Sequence, residues 1–370
     1  MMKPLVIAYT HVYIWDAGGH TDSDRTQLHT QLQREYTVMS SDEANSSGLM
    51  IPLVGVVASV TLILARKYFK GAQFKDHISA KGKVAFVTGA NNGIGKQTAR
   101  ELNLRGAKVY MLCRNTERGR EALHDLVKLG CDPSRLFVRQ LDLADLSSVR
   151  NFVSEIGKEE EKLDILVNNA GIMFYPRFEK TRDGFETTWQ TNYLGHFLLT
   201  ELLLPILRNS PSGRVVNVSS LLHKQADSVE AAVVNSEKKF NRSQPYNRSK
   251  LAQVMHAREL TRRLRASDPA CTVTINSLHP GVCFTDLGRY TLLNKTPFKQ
   301  ILAPFLWFFM KTDKDGAQTS LFLCLSKQVE GISGKYFGEC KEHQPSPKAL
   351  DDHNCNVLYN YSLEAVGLGK

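Results

Sequence analysis

The sequence predicts an α/β fold: a Rossmann-type doubly wound parallel sheet with helices on both faces, preceded by a single N-terminal transmembrane helix. Three observations predict it. From residue 81 onward, short β-favouring runs alternate with stretches of helical pattern, as parallel βαβ units require. The first run opens into a glycine-rich turn at the start of a helix. Seventeen uncharged residues, 49–65, precede all of it.

Taken in order, residues 1–47 are polar, lack sustained periodicity and carry three basic and six acidic side chains, the composition of a disordered tail. A bilayer span needs about 17–25 apolar residues, so the anchor is set at 48–66, with a buried core helix as the competing reading. Arg66, Lys67, Lys70 and Lys75 mark a basic linker, 67–80. By the positive-inside rule the chain beyond it faces the cytosol and the tail the lumen. A catalytic domain is expected over 81–340, and an extension packed on or trailing it over 341–370.

Within the domain, the run 84–87 leads into Thr88-Gly89-Ala90-Asn91-Asn92-Gly93-Ile94-Gly95-Lys96. Three glycines let a backbone turn sharply and approach a pyrophosphate where free N–H groups and the helix dipole favour anions. The spacing is not that of the standard dinucleotide fingerprint. A second strand, 108–113, ends in Arg114, where a guanidinium suits a ribose 2′-phosphate as an acidic residue suits a 2′-hydroxyl; this points to NADP(H). Strands follow at 135–140, 164–167 and 214–218, with helices around 116–129, 146–161 and 185–208.

Composition excludes several classes. The 370 residues are 42% hydrophobic and 9% aromatic, normal for a globular protein. Seven cysteines form no Cys-x-x-Cys pair and have no histidine at ligand spacing, which argues for reduced thiols and against a disulfide scaffold or a metal site. Net charge is +10, all from beyond the acidic tail, yet no zinc finger, RRM motif or arginine-rich tract accompanies it, so nucleic acid is not an expected partner.

Tyr246 and Lys250 stand four apart, one turn apart on the same face of a helix. A free phenol, with a pKa near 10, is a poor proton donor or acceptor at neutral pH. An ammonium held beside it favours the phenolate and lowers that value. Alone the pair is a weak signal. The motifs Thr88-Gly-x-x-x-Gly-Ile-Gly95, Asp142, Asn168-Asn-Ala-Gly171, Asn192, Ser220, Tyr246-x-x-x-Lys250 and Pro280-Gly281 occur in one order over roughly 81–340. In this the chain resembles the short-chain dehydrogenase/reductase family.

The resemblance implies a site. Gly89, Asn92, Gly93, Ile94, Gly95 and Arg114 would hold the cofactor, Asp142 would bond the adenine amino group, and Asn168, Asn169, Ala170 and Gly171 would stabilise the central strand beside it. Pro280 and Gly281 lead to Val282 and Thr285, which would hold the nicotinamide carboxamide. Ser220 would bond the substrate oxygen and Tyr246 would transfer the proton. Lys250 would bind ribose and lower the Tyr246 pKa, and Asn192 would hold a water linking Lys250 to solvent.

Within the family the chain looks most like the microsomal retinol dehydrogenase branch, on 113–115, 192–199, 216–222, 249–252 and 279–282. The acidic tail and the segment 227–235 depart from that pattern. An apolar stretch, 298–310, with Trp307 between Lys299 and Lys311, follows the cofactor loop and reads as a substrate lid meeting the membrane interface, with a buried helix packed on the domain or across a dimer contact as the competing reading. The expected function is interconversion of a lipophilic alcohol and its aldehyde or ketone with NADP(H), retinol and retinaldehyde first, a steroid or other lipid carbonyl second. A membrane-tethered, non-catalytic nucleotide-binding scaffold is the alternative of another class. The expected location is the endoplasmic reticulum membrane, single-pass, with lipid as a partner and a homodimer left open.

Overall fold

The alternating runs pair side by side, and the central ones are buried on both faces. β1 (Val84–Thr88), β2 (Lys108–Cys113), β3 (Leu136–Gln140), β4 (Ile165–Asn168), β5 (Arg214–Val218), β6 (Thr274–Leu278), β7 (Tyr336–Gly338) and β8 (Lys341–Glu342) form one sheet in the order β3-β2-β1-β4-β5-β6-β7-β8. Every pairing is parallel except β7 with β8. The structure, a computed structural model, describes residues 47–283 and 308–369, with side chains from residue 56 onward. The tail 1–46, most of the expected lid and Thr285 lie outside the described residues.

Period-two alternation sends neighbouring side chains to opposite layers. Phe86, Tyr110, Leu112, Leu166, Val215 and Ile275 face one way. They pack under α4 (Leu146–Glu159), α5 (Gly195–Arg208), α6 (Gln244–Ser267) and α8 (Asp352–Ala365). Ala85, Val87, Val109, Met111, Ile165, Val167, Val216 and Val218 face the other way, under α2 (Gly93–Leu104), α3 (Thr116–Lys128) and α7 (Gln318–Leu325). The predicted strands match within a residue or so at their ends. The alternation continues past them through β6 and β7, and α8 packs the last part of the chain onto the domain through α6.

The chain builds β1 to β3 in one direction and then returns to add β4 on the other side of β1. This reversal leaves a crevice at the carboxyl ends of β1 and β4, the position where such sheets bind ligands. The helix α1 (Ser47–Lys70) spans 24 residues and contains the 49–65 run. Among the described residues no helix is long and apolar enough to cross a membrane. Val56, Val57, Val60, Leu62, Ile63 and Leu64 are exposed.

The segment that departs from the expected pattern is tied down by a buried cation. Arg248, 1% exposed, donates from Nε and Nη2 to the two carboxylate oxygens of Asp227, both at 2.6 Å. Asn235 accepts from the Glu186 N–H at 2.8 Å and donates to the Gly184 carbonyl at 3.0 Å.

Asp164 joins three elements beneath the sheet, accepting from the Val84 N–H at 2.8 Å, from Ser210 at 2.7 Å and from Lys162. Burial alone raises its pKa, but these hydrogen bonds outweigh it and hold the carboxyl below its ordinary value. A depressed carboxylate contributes stability above its unfolded pKa of about 3.9, lost as pH falls through the lower folded value. Asp164→Ala is expected to cost about 2–3 kcal/mol at pH 7 in urea unfolding, with the gap from wild type shrinking as the pH falls below about 4.

Candidate active site

The crevice is shaped by glycines and by one hydroxyl. Gly89 and Gly93 adopt φ of +65° and +58°, a region side chains disfavour. A Cβ at Gly95 would lie 2.5 Å from the Gly89 carbonyl oxygen and would also meet Asn169 Nδ2. Asn92 caps α2 by accepting from the Gly93 N–H at 2.7 Å, and Ile94 opens the helix. The Cys113 thiol accepts from the Ala90 and Asn91 N–H groups, although burial is the larger influence and lifts its pKa to about 11.

Thr88 Oγ1 accepts from the N–H groups of Asn169 and Ala170, both at 2.9 Å, which locks the ends of β1 and β4 together. It also lies 2.9 Å from His196 Nε2. His196 Nδ1 must donate to the Asn192 carbonyl at 2.9 Å, so Nε2 accepts and the Thr88 hydroxyl donates to it. Burial pushes this imidazole down to about 3 and keeps it neutral.

Asn192 sits within a π-helical turn, Gln190–Leu194, just ahead of α5. Such turns open the regular helical ladder and gather at functional sites. Its amide exchanges two hydrogen bonds with the Ile172 backbone, 2.9 and 3.0 Å, and donates to Ser249 Oγ at 3.0 Å. Gly171 packs against this side: a Cβ there would lie 3.4 Å from Asn192 Oδ1 and 3.7 Å from Lys250 Nζ.

On α6, Tyr246 and Lys250 are both buried, 3% exposed, with Lys250 Nζ 5.6 Å from the phenol ring centroid. Burial lowers Lys250 to about 7. Burial raises Tyr246 to about 12, opposed by a hydrogen bond from Ser220. This reverses the direction expected from an ammonium beside a phenol. The dry surroundings disfavour the phenolate more than the Ser220 hydroxyl stabilises it, and Nζ is engaged elsewhere, donating to the Val218 carbonyl at 2.7 Å and to Gln253 Oε1 at 3.1 Å.

Ser220 and Ser219 divide two tasks. Ser219 Oγ donates to the Lys250 carbonyl at 2.7 Å, fastening β5 to α6, whereas Ser220 is the one beside Tyr246. His223 then ties the serine loop to the C-terminal segment: Nδ1 donates to the Ser220 carbonyl at 2.7 Å and Nε2 accepts from the Ser346 N–H at 2.9 Å.

The remaining expected residues that are described follow the carboxyl ends of β2, β3 and β6. Pro280 and Gly281 follow β6, with Gly281 at φ +82°, and Val282 is 48% exposed. The Lys311 N–H donates to the Val282 carbonyl at 2.9 Å. Asp142, half-buried after β3, accepts from the Ala144 N–H at 3.0 Å. Arg114 is exposed just past β2. Thr88, His196, His223 and Gln253 were not among the expected residues. His196 stands one helical turn after Asn192 and Gln253 one turn after Lys250, spacings that carried the only signal.

A strand-to-helix turn with two left-handed glycines, an open helix N-terminus and no room for a Cβ at Gly95 fits a dinucleotide pyrophosphate. Gly95→Ala is expected to weaken dinucleotide binding at least about tenfold, since the added carbon must push the Gly89 peptide or Asn169 out of line. Fluorescence titration with NADPH measures it, and circular dichroism checks that the fold persists.

The family described as short chain dehydrogenase matches residues 83–295. The chain is 46% identical to human retinol dehydrogenase 14 over 304 residues, 78% of this chain and 88% of that one. It is 42% identical to mouse retinol dehydrogenase 13 over 322 residues, covering 86% and 94%, and 43% identical to human retinol dehydrogenase 12 over 303 residues, covering 82% and 92%. Among solved structures it is similar to an uncharacterised protein of Mycobacterium paratuberculosis, TM-score 0.64 at 30% identity, covering 81% of this chain and 98% of the other. A protein described as a gluconate 5-dehydrogenase from Beutenbergia cavernae, with bound NADP, matches with TM-score 0.53 at 25% identity, covering 70% and 96%. With its fold, its crevice at the sheet reversal and these relatives agreeing, the chain belongs to the short-chain dehydrogenase family of oxidoreductases, which use a nicotinamide cofactor.

Proposed function

We propose that this oxidoreductase interconverts a lipophilic alcohol and its carbonyl, with retinol and retinaldehyde as the first substrate pair, NADP(H) as cofactor and Tyr246 as proton donor and acceptor. The observation that carries it is the shared burial of Tyr246 and Lys250 on one face of α6, with Ser220 beside the phenol and Gly171 next to Lys250. The names of the similar proteins favour the retinoid. The exposed Arg114 past β2 favours a 2′-phosphate.

The bound cofactor supplies or accepts the hydride. In the reductive direction Ser220 donates a hydrogen bond to the substrate oxygen, where negative charge develops, and Tyr246 gives that oxygen its proton. A phenol lifted to about 12 carries its proton throughout the physiological range. Lys250, when charged, favours the phenolate that remains and donates toward the ribose. Asn192 sets the turn against which Ile172 and Ser249 are held. Gly89, Asn92, Gly93, Ile94 and Gly95 would cradle the pyrophosphate, Asp142 would meet the adenine, Asn169 and Ala170 would line the floor, and Pro280, Gly281 and Val282 would border the nicotinamide.

We further infer attachment to a membrane through the 48–66 segment, supported by the exposed apolar side chains 56–64 and by Arg66, Lys67 and Lys70 directly after them. The test is NADPH oxidation by detergent-solubilised full chain with all-trans-retinaldehyde. Tyr246→Phe is expected to lower turnover by about 10²–10⁴-fold, and Arg114→Ala to erase a preference for NADPH over NADH of roughly tenfold. Because Lys250 is charged below about 7, reductive turnover is expected to fall as pH rises through that value. Binding of NADPH without turnover on retinaldehyde would move the assignment to steroid and other lipid carbonyls; absence of turnover on a broad carbonyl panel would favour a scaffold.

A further inference from the structure

Among the described residues no acid stands beside Lys250. Its acceptors are the Val218 carbonyl at 2.7 Å and Gln253 Oε1 at 3.1 Å. Among the described residues the titratable groups around it are Tyr246 on its own helix, neutral His196 from α5, and, near Tyr246, Cys283 from the loop after β6, whose thiol is raised by burial and donates to the Pro280 carbonyl at 3.4 Å. The other half of the Gln253 amide donates from Nε2 to the Asn192 carbonyl at 2.9 Å. Gln253 is 1% exposed, and its own carbonyl accepts from Asn217 Nδ2 at 3.1 Å, so both ends of the residue are fixed.

We propose that Gln253 is the positioning residue for Lys250, its amide standing between the Lys250 ammonium and the Asn192 carbonyl and joining the two directly. The family resemblance implies a water in that place. A water can pass a proton by donating and accepting at one oxygen, whereas an amide accepts at oxygen and donates at nitrogen. Here the contact holds the cation in register with Tyr246 rather than opening it to solvent. The inference rests on the proposed roles of Tyr246 and Lys250.

An acceptor bonded to the charged form favours that form. Removing it while keeping the side chain's length, as in Gln253→Met, should lower the Lys250 pKa. Placing a carboxylate there, as in Gln253→Glu, should raise it. Each shift is expected to be about one unit, the size of a hydrogen bond to a charged group. A residue with a merely structural role would not move the two variants in opposite directions.

Two readouts in the full chain test this. The first is the pH dependence of Lys250 acetylation by acetic anhydride, read by peptide mass spectrometry, which needs no turnover. The second is the pH profile of NADPH-dependent reduction, with Tyr246→Phe as control. Opposite displacements of the Lys250 titration, with the basic limb of the rate profile following them, support the proposal. An unmoved Lys250 titration, or displacement of both variants to the same side, overturns it. If wild type fails to turn over while the acetylation midpoints still diverge, the positioning role stands and the assigned chemistry falls.

Discussion

The site depends on keeping a lysine ammonium out of water with no carboxylate beside it among the described residues. An isolated buried cation is costly unless oriented dipoles replace its hydration. For Lys250 those dipoles are a backbone carbonyl on β5 and a side-chain amide one turn along α6. Each must be held still, and the surrounding bonds do so. Ser219 fastens the Lys250 carbonyl to β5, Asn217 grips Gln253, and Asn192 receives the far side of the same amide. The lowered Lys250 and raised Tyr246 pKa values follow from one cause, dryness, acting with opposite sign on a base and an acid.

The sheet reversal supplies the other half. Because β1 and β4 lie side by side, the glycine-rich turn and the Asn169–Gly171 loop meet, and Thr88 joins them with a single oxygen. His196 continues the connection to Asn192, so the floor of the crevice and the π-helical turn share one chain of hydrogen bonds. A neutral imidazole is what this chain requires, since Nε2 must accept. Burial enforces that state.

Much of this was legible in the sequence because it is local. The strands announced themselves as apolar runs, the turn by its glycines and the Tyr246–Lys250 pair by helical spacing. What escaped was set by neighbours distant in sequence. The sign of the Tyr246 shift could not be read from an i,i+4 pair, since it depends on how completely α5, α6 and β5 exclude water. Gln253 looked like an ordinary helix residue until the fold brought Asn192, 61 positions away, against it. Likewise β6 and β7 carry Asn276, Ser277 and a short three-residue run, too polar or too brief to stand out alone.

The contact between His223 and Ser346 has a consequence for how the molecule comes into being. The carbonyl of Ser220 is tied through one imidazole to residue 346, Lys348 bonds the Ala226 and Asp227 carbonyls at 2.6 and 2.7 Å, and Tyr193 meets Ser362 at 2.8 Å. β1 to β5 are complete by residue 218, whereas the serine loop takes its hold from residues more than a hundred positions later in the chain. A domain made from one end therefore forms its sheet before it can fix that loop.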